Sequence, residues 1–209
     1  MSNTRKIRVL IADDHAMVRM GLGSLFGTKP DFEIVGEAEN GEEAVRLAGE
    51  LRPDVVLMDL LMPHKSGVTA TAEIHAARPE VRVLVLTSVG SSDAIVRAIR
   101  AGAAGAIMKS ADFAALVSAV RKVAAGETVI APEIRRLIEE DPPVPELTGR
   151  QADILASVVR GLTNADIAVE LGLHESTVKE YVAAICEKLG AANRSEAVSI
   201  TLRKHLLKI

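Results

Sequence analysis

Over roughly the first 125 residues, short β-branched runs alternate with segments in which apolar side chains recur about every 3.6 residues. The runs Arg8–Ala12, Glu33–Ala38, Val55–Met58, Val83–Thr87 and Gly105–Met108 predict strands. Between and after them, Ala16–Phe26, Glu42–Leu51, Val68–Ala77, Ala94–Ala101 and Phe113–Ala124 predict helices. Val55-Val56-Leu57-Met58 and Val83-Leu84-Val85-Leu86 are apolar without alternation, as parallel strands covered on both faces are. Five successive strand–helix units predict an α/β fold, a doubly wound five-stranded parallel sheet with right-handed crossovers. Such sheets bind ligands beyond the carboxyl ends of their strands.

The pattern then changes. Between Glu139 and Glu146 three prolines, at 142, 143 and 145, stand among four acidic residues. Proline removes backbone donors and favours extended chain, while the charges keep the stretch solvated. A domain boundary is expected there. Beyond it only helical spacing remains. Thr148 with Gln151, Thr163 with Asp166 and Asn193 with Glu196 have the spacing of capping boxes. Gly172 separates two helical patterns, Asp166–Leu171 and Glu175–Leu189, as a tight helix-turn-helix does. Ile154, Leu155, Ile167, Leu171, Val178, Val182, Ile185, Leu189 and Ala197 are the candidate core of this small all-α domain.

Composition narrows the chemistry. A length of 209 residues suits two modest domains, and 48% hydrophobic with 25% charged residues is ordinary for a globular protein. Three Phe, one Tyr and no Trp argue against a surface that reads bases or sugars by stacking. With 25 basic and 28 acidic residues the net charge is −3, so no overall basic field advertises nucleic acid. Cys186 is the sole cysteine, which excludes an internal disulfide and a multi-cysteine metal site. The opening MSNTRKIRVLIADD lacks a secretory apolar core and cleavage site, and no apolar run reaches the roughly 20 residues of a membrane span. A cytoplasmic protein without membrane contact is expected.

The chemical signal lies where polar residues end apolar strands. Asp13 and Asp14 follow the first strand, Asp59 the third, Thr87 ends the fourth, and Lys109 follows the fifth. In a parallel sheet all five meet at one edge. Clustered carboxylates resist ionising together unless a cation intervenes, and oxygen ligands of this kind suit Mg²⁺. The hydroxyl and ammonium supply donors for phosphoryl oxygens. A haloacid-dehalogenase-type hydrolase would need a second Asp two residues after Asp59, where Leu61 stands. His15, at a helix start, reads as local structure rather than as a metal ligand.

With Ile11-Ala12-Asp13-Asp14-His15, Met58-Asp59-Leu60-Leu61-Met62-Pro63, Gly67, Thr87-Ser88 and Lys109-Ser110, residues 1–125 resemble the flavodoxin-like receiver domain of bacterial two-component response regulators. The resemblance implies that Asp59 accepts a phosphoryl group from a sensor histidine kinase. It also implies that Asp13, Asp14, Asp59 and the backbone carbonyl of Leu61 hold Mg²⁺, and that Thr87 and Lys109 contact the phosphoryl oxygens. One position departs from the pattern: receivers usually carry Tyr or Phe three residues before the lysine, where this chain has Ala106. The family's inward swing of that ring has no ring to move here.

Residues 147–209 resemble the LuxR-type helix-turn-helix of the NarL/FixJ group, through Leu147-Thr148, Gly161-Leu162-Thr163-Asn164, Asp166-Ile167-Ala168, Leu171-Gly172-Leu173, Ser176-Thr177-Val178-Lys179, Ile185, Lys188-Leu189-Gly190 and Asn193-Arg194. Residues 126–146 are then a linker with a short helix and the proline-rich acidic stretch. The resemblance places the helix of about Glu175–Leu189 in a major groove of DNA. Lys179 is the first candidate contact, to phosphate or guanine. Thr163, Asn164, Ser176, Thr177, Lys188 and Arg194 are candidate contacts beside it, and Glu180 accepting from cytosine is a further one. Residues 146–209 hold eight basic and eight acidic side chains, so dimerisation is expected to supply affinity that one copy lacks. A last helix, about Glu196–Leu207, resembles the family's dimerisation helix; Met17 and Met20, off the core stripe of the first helix, are candidates for another subunit contact.

The expected function is a non-enzymatic transcription regulator, phosphorylated on Asp59 with Mg²⁺, that binds promoter DNA as a homodimer. Two alternatives stay open: DNA binding independent of phosphorylation, which Ala106 motivates, and a protein-interaction adaptor whose near-neutral helix-turn-helix has lost DNA.

Overall fold

The computed structural model describes residues 5–88, 92–140, 143–145, 147–204 and 206–207. The chain divides into two compact units, Met1–Asp141 and Pro142–Ile209. Asp141, Pro142 and Glu146 of the acidic proline stretch lie outside the described residues.

In the first unit, β1 (Ile7–Ala12), β2 (Phe32–Ala38), β3 (Val55–Asp59), β4 (Arg82–Thr87) and β5 (Gly105–Met108) alternate with α1 (Ala16–Gly27), α2 (Gly41–Leu51), α3 (Gly67–Ala77), α4 (Ser92–Arg100) and α5 (Phe113–Ala124). All neighbouring strands are parallel, in the order β2-β1-β3-β4-β5-β6. The sheet therefore has six strands, not five. The added β6 (Val129–Ile130) pairs Gly105 with Val129 and Ala106 with Ile130, and α6 (Pro132–Glu140) packs Ile134 into the same core. Residues 129–140, expected within the linker, thus belong to this unit. A two-residue strand is too short for any periodicity to reveal.

Alternation along the buried strands sends side chains to two cores. Val9, Ile11, Val55 and Leu57 meet Phe26 of α1 and Leu116, Val117 and Val120 of α5. Leu10, Ala12, Val56 and Met58 meet Ala44 and Ala48 of α2 and Ala70 and Ile74 of α3. Burial on both faces is why these strands read as unbroken apolar runs. The three Phe form one cluster, with Phe26 centred 5.1 Å from Phe32 and 5.2 Å from Phe113.

The second unit comprises α7 (Gly149–Val159), α8 (Asn164–Leu171), α9 (Glu175–Leu189) and α10 (Arg194–Arg203). Thr148 with Gln151 and Thr163 with Asp166 form reciprocal capping boxes, and Asn193 caps α10 by accepting from the Glu196 N–H. Gly172 ends α8 at φ 63°, a left-handed conformation that favours glycine, and turns the chain into α9. Ile154, Leu155, Val158, Ile167, Val178, Ile185, Leu189, Ala197 and Ile200 form the core, with Leu171 and Val182 partly buried against it.

Candidate functional site

Because the strands are parallel, the segments that follow β1, β3, β4 and β5 all leave from one edge of the sheet. Strand register puts Asp13, Asp59, Thr87 and Lys109 there. Asp13 directly follows β1, its N–H held by the Ala38 carbonyl at 3.1 Å, and Asp59 is the last residue of β3. Gly67, at the start of α3, lets that helix lie against the Asp59 backbone. A Cβ at position 67 would stand 1.9 Å from the Asp59 carbonyl oxygen, so no other residue fits without moving the strand end.

Lys109 joins the carboxylates. Its Nζ donates to Asp59 Oδ2 at 2.8 Å and pairs with Asp13 Oδ2 at 2.7 Å. Asp13 and Asp59 are both buried, whereas Asp14 is partly exposed. Asp13 Oδ2 is buried, and the Lys109 ammonium at 2.7 Å is the group that meets it among the described residues. Burial pushes the Asp59 carboxyl above its ordinary range, Lys109 pulls it back only in part, and Asp13 adds to the rise. Burial pulls Lys109 down, but its hydrogen bonds and charge interactions with Asp13 and Asp59 outweigh this and hold it protonated. Single ligand atoms of Asp13, Asp14, His15 and Asp59 all lie within 4.8 Å of one another. One ammonium against the three carboxylates leaves two negative charges unmet when all are ionised. An oxygen-rich, under-neutralised pocket, buried at Asp13 and Asp59 and open to solvent at Asp14, fits a hard divalent cation that keeps some of its waters.

The other expected groups are less committed. Leu61 sends its N–H to Asp59 Oδ1 at 3.4 Å, which places its backbone beside the pocket. The Thr87 hydroxyl donates to the Ser88 carbonyl at 3.0 Å, so it is turned toward its own loop rather than toward Asp59. Residues 89–91 of that loop lie outside the described residues. His15 starts α1 without a side-chain cap and sets Nδ1 2.7 Å from Asp14 Oδ1. Ala106 is fully buried, between Val85 of β4 and Ile130 of β6 in register.

Arg19 was not among the expected site residues. It lies buried on the inner face of α1 and donates from Nη1 to the Asp13 carbonyl at 2.8 Å. The signal was available in sequence: a cation three and seven residues before Leu22 and Phe26, on the stripe that faces the core.

In the helical unit the expected DNA contacts separate into two groups. Ser176, Lys179 and Glu180 are exposed near the start of α9 and Thr177 is half-buried; Lys179 pairs with Glu175 at 2.9 Å, one turn back. The others already have partners inside the unit. Arg194 donates to Asn164 Oδ1 at 2.9 Å and also to the Leu162 carbonyl, fastening the start of α10 to that of α8. Lys188 donates to Gln151 Oε1 at 2.9 Å, and the Thr163 hydroxyl donates to Asp166 Oδ2 at 2.6 Å. Two hydrogen bonds from Thr163 pull Asp166 below the usual carboxylate range.

Comparison with known proteins covers both units. The family model for the response regulator receiver domain matches residues 9–121, and that for bacterial regulatory proteins of the luxR family matches residues 145–201. The transcriptional regulatory protein LiaR of Bacillus subtilis (strain 168) is 38% identical over 209 residues, spanning 96% of this chain and 99% of LiaR. The response regulator protein VraR of Staphylococcus aureus is 38% identical over 207 residues, spanning 97% and 99% respectively. Among solved structures, the response regulator ChrA of a heme-sensing two-component system aligns with a TM-score of 0.59 at 34% identity, covering 97% of this chain and 99% of ChrA.

Proposed function

The chain belongs to the response regulators that join a receiver domain to a LuxR-type DNA-binding domain, and on that premise we propose that Asp59 is its phosphoacceptor, that a sensor histidine kinase is the donor, and that the phosphorylated form binds promoter DNA as a homodimer. The observation that carries the reading is the buried Asp59 carboxylate joined through Lys109 to Asp13 at the sheet edge. An Asp59 carboxylate oxygen attacks phosphorus, an O–P bond forms as the N–P bond of the donor imidazole breaks, and an acyl phosphate results. Lys109 is placed to stay on the phosphoryl oxygens, and rotation of the Thr87 side chain away from Ser88 would bring a second donor to them. Asp13, Asp14, Asp59 and the Leu61 carbonyl would hold Mg²⁺, which supplies charge neutralisation for in-line transfer.

Transmission in this reading runs through backbone rather than through a ring. Thr87 pairs with Met108 and Ala106 with Ile130, so β4, β5 and β6 lead by hydrogen bonds from the pocket to α6 and the linker. DNA contact falls chiefly to Lys179, Ser176, Thr177 and Glu180, which are not taken up inside the domain core. Arg194, Asn164, Lys188 and Thr163 would serve by shaping the unit, with helix-terminal amides left for phosphates. Outward exposure of Met17 and Met20 and of Leu202 on α10 supports contact between copies. No helix among the described residues is long and apolar enough to cross a membrane.

Promoter binding by the wild type and Asp59→Ala, each with and without a small phosphodonor, tests the scheme. The donor is expected to tighten binding of the wild type alone. Equal affinities in all four samples would favour the phosphorylation-independent regulator that buried Ala106 suggests. Absence of salt-dependent DNA binding throughout would favour the adaptor.

A further inference from the structure

Arg19 is a buried cation with three contacts, one on the loop that carries Asp13 and Asp14 and two on carboxylates at the end of β2 and just beyond it. Nη1 donates to the Asp13 carbonyl at 2.8 Å and Nη2 to Glu39 Oε1 at 2.6 Å, and Nε lies 3.4 Å from Glu37 Oε2, out of line for a hydrogen bond. The guanidinium therefore ties the end of β1 to the end of β2 and the turn into α2. Asp13 is held at each polar group: its N–H by the Ala38 carbonyl, its carbonyl by Arg19, Oδ1 by the His15 N–H at 2.9 Å and Oδ2 by Lys109. Three of these holds are backbone groups or the lysine of the pocket itself. Among the described residues, Arg19 is the side chain brought in from outside the pocket, His15 Nδ1 at 3.3 Å from Oδ1 belonging to it.

Stability alone is a poor reason for this arrangement. The Glu37 and Glu39 side chains are 44% and 69% exposed, and ion pairs to carboxylates in solvent contribute little. A rigid planar fork is, however, well suited to fixing a backbone carbonyl relative to two anchors.

We propose that Arg19 is a positioning residue of the acidic pocket: through the Asp13 carbonyl it holds the Asp13 and Asp14 carboxylates at the spacing a divalent cation requires. The inference rests on the Mg²⁺-dependent receiver reading given above. Its sign separates it from simple electrostatics. Removing a positive charge near the pocket would tighten cation binding if charge were all that mattered, whereas loss of a positioning contact weakens it.

The test is Mg²⁺ titration by calorimetry on the full chain, well below the melting temperature of each variant and with fold checked by circular dichroism. Arg19→Met is expected to raise the Mg²⁺ Kd by about tenfold or more, as loss of contacts behind metal ligands generally does. Arg19→Lys keeps the charge without the fork and is expected to raise Kd less, in the same direction. Rates of labelling by acetyl phosphate should fall at low Mg²⁺ and recover at saturating Mg²⁺. Should Arg19→Met fail to fold, Arg19→Gln takes its place: it too removes the positive charge and the reach to the Asp13 carbonyl, and is expected to weaken Mg²⁺ binding where charge alone would tighten it. An unchanged or tighter Kd in the folded variants, whatever their melting temperatures, overturns the proposal while leaving the receiver reading intact. A wild type that neither binds Mg²⁺ nor labels at Asp59 overturns both.

Discussion

Around Asp59 the charged groups are buried and answer one another, whereas at the start of α9 they stand in solvent and pair, where they pair at all, within their own helix. Asp13, Asp59 and Lys109 are held by the strands they terminate and by contacts of 2.7 and 2.8 Å. Among the described residues, Lys179 pairs with Glu175, one turn away. The difference teaches where chemistry can be read from residue type. A charge at the end of an apolar strand has no reason to be there except its partners, because burying it unpaired is costly. An exposed charge on a helix is compatible with many roles, and its meaning depends on a ligand that packing does not define.

The contrast can be broken first at the acceptor. Asp59→Asn is expected to abolish covalent labelling by a phosphodonor, read as hydroxylamine-sensitive phosphate; labelling at the wild-type level would move the acceptor elsewhere. Next in size is the cost of removing a cation from each unit. Lys109→Ala leaves two buried carboxylates without their ammonium and should destabilise the first unit by about 3 kcal/mol in urea unfolding without metal, part of it regained on adding Mg²⁺. Lys179→Ala should stay within about 0.5 kcal/mol of the wild type. Equal costs would erase the distinction drawn here.

A finer division lies within the helical unit. Arg194→Ala loses hydrogen bonds to Asn164 and Leu162 and should cost about 2 kcal/mol of that unit's stability, with little change in the salt dependence of DNA binding. Lys179→Ala should do the reverse, reducing the slope of log affinity against log salt by about 1 at unchanged stability. The smallest effect is a pH dependence. Asp166 has its folded pKa depressed by Thr163, so it stabilises the folded unit above its ordinary value of 3.8, and this is lost as pH falls through the depressed value. Melting temperatures between about pH 5 and pH 3 should therefore fall less steeply in Asp166→Asn than in the wild type. Parallel curves would remove the capping box from the list of acid-sensitive contacts.

Particular residues show how far the chain could be read in advance. Asp13, Asp14, Asp59 and Lys109 were legible because each interrupts an apolar run at a strand end, and parallel topology brings such ends together. Thr87 was legible as a position but not as a rotamer, since its hydroxyl has a local acceptor in Ser88. β6 escaped because two residues carry no period, and Arg19 because a single cation on an inward stripe looks like an exception to amphipathicity. In the helical unit, similarity picked out Arg194, Asn164 and Lys188 with Lys179, but only the fold shows the first three bonded inside the unit.

The linear chain was enough to establish the strand–helix alternation, the proline-rich break, the helix caps and the edge at which the acidic groups gather. Those features follow from local periodicity, backbone donors and the chemistry of single side chains. Tertiary packing decided the rest: that Lys109 joins Asp13 to Asp59, that Arg19 reaches the Asp13 carbonyl, that Ala106 is enclosed between β4 and β6, and which cations of the helical unit remain in solvent. Each of these depends on residues far apart in sequence arriving within hydrogen-bond range. No local propensity encodes that, because it is set by how whole elements pack against one another.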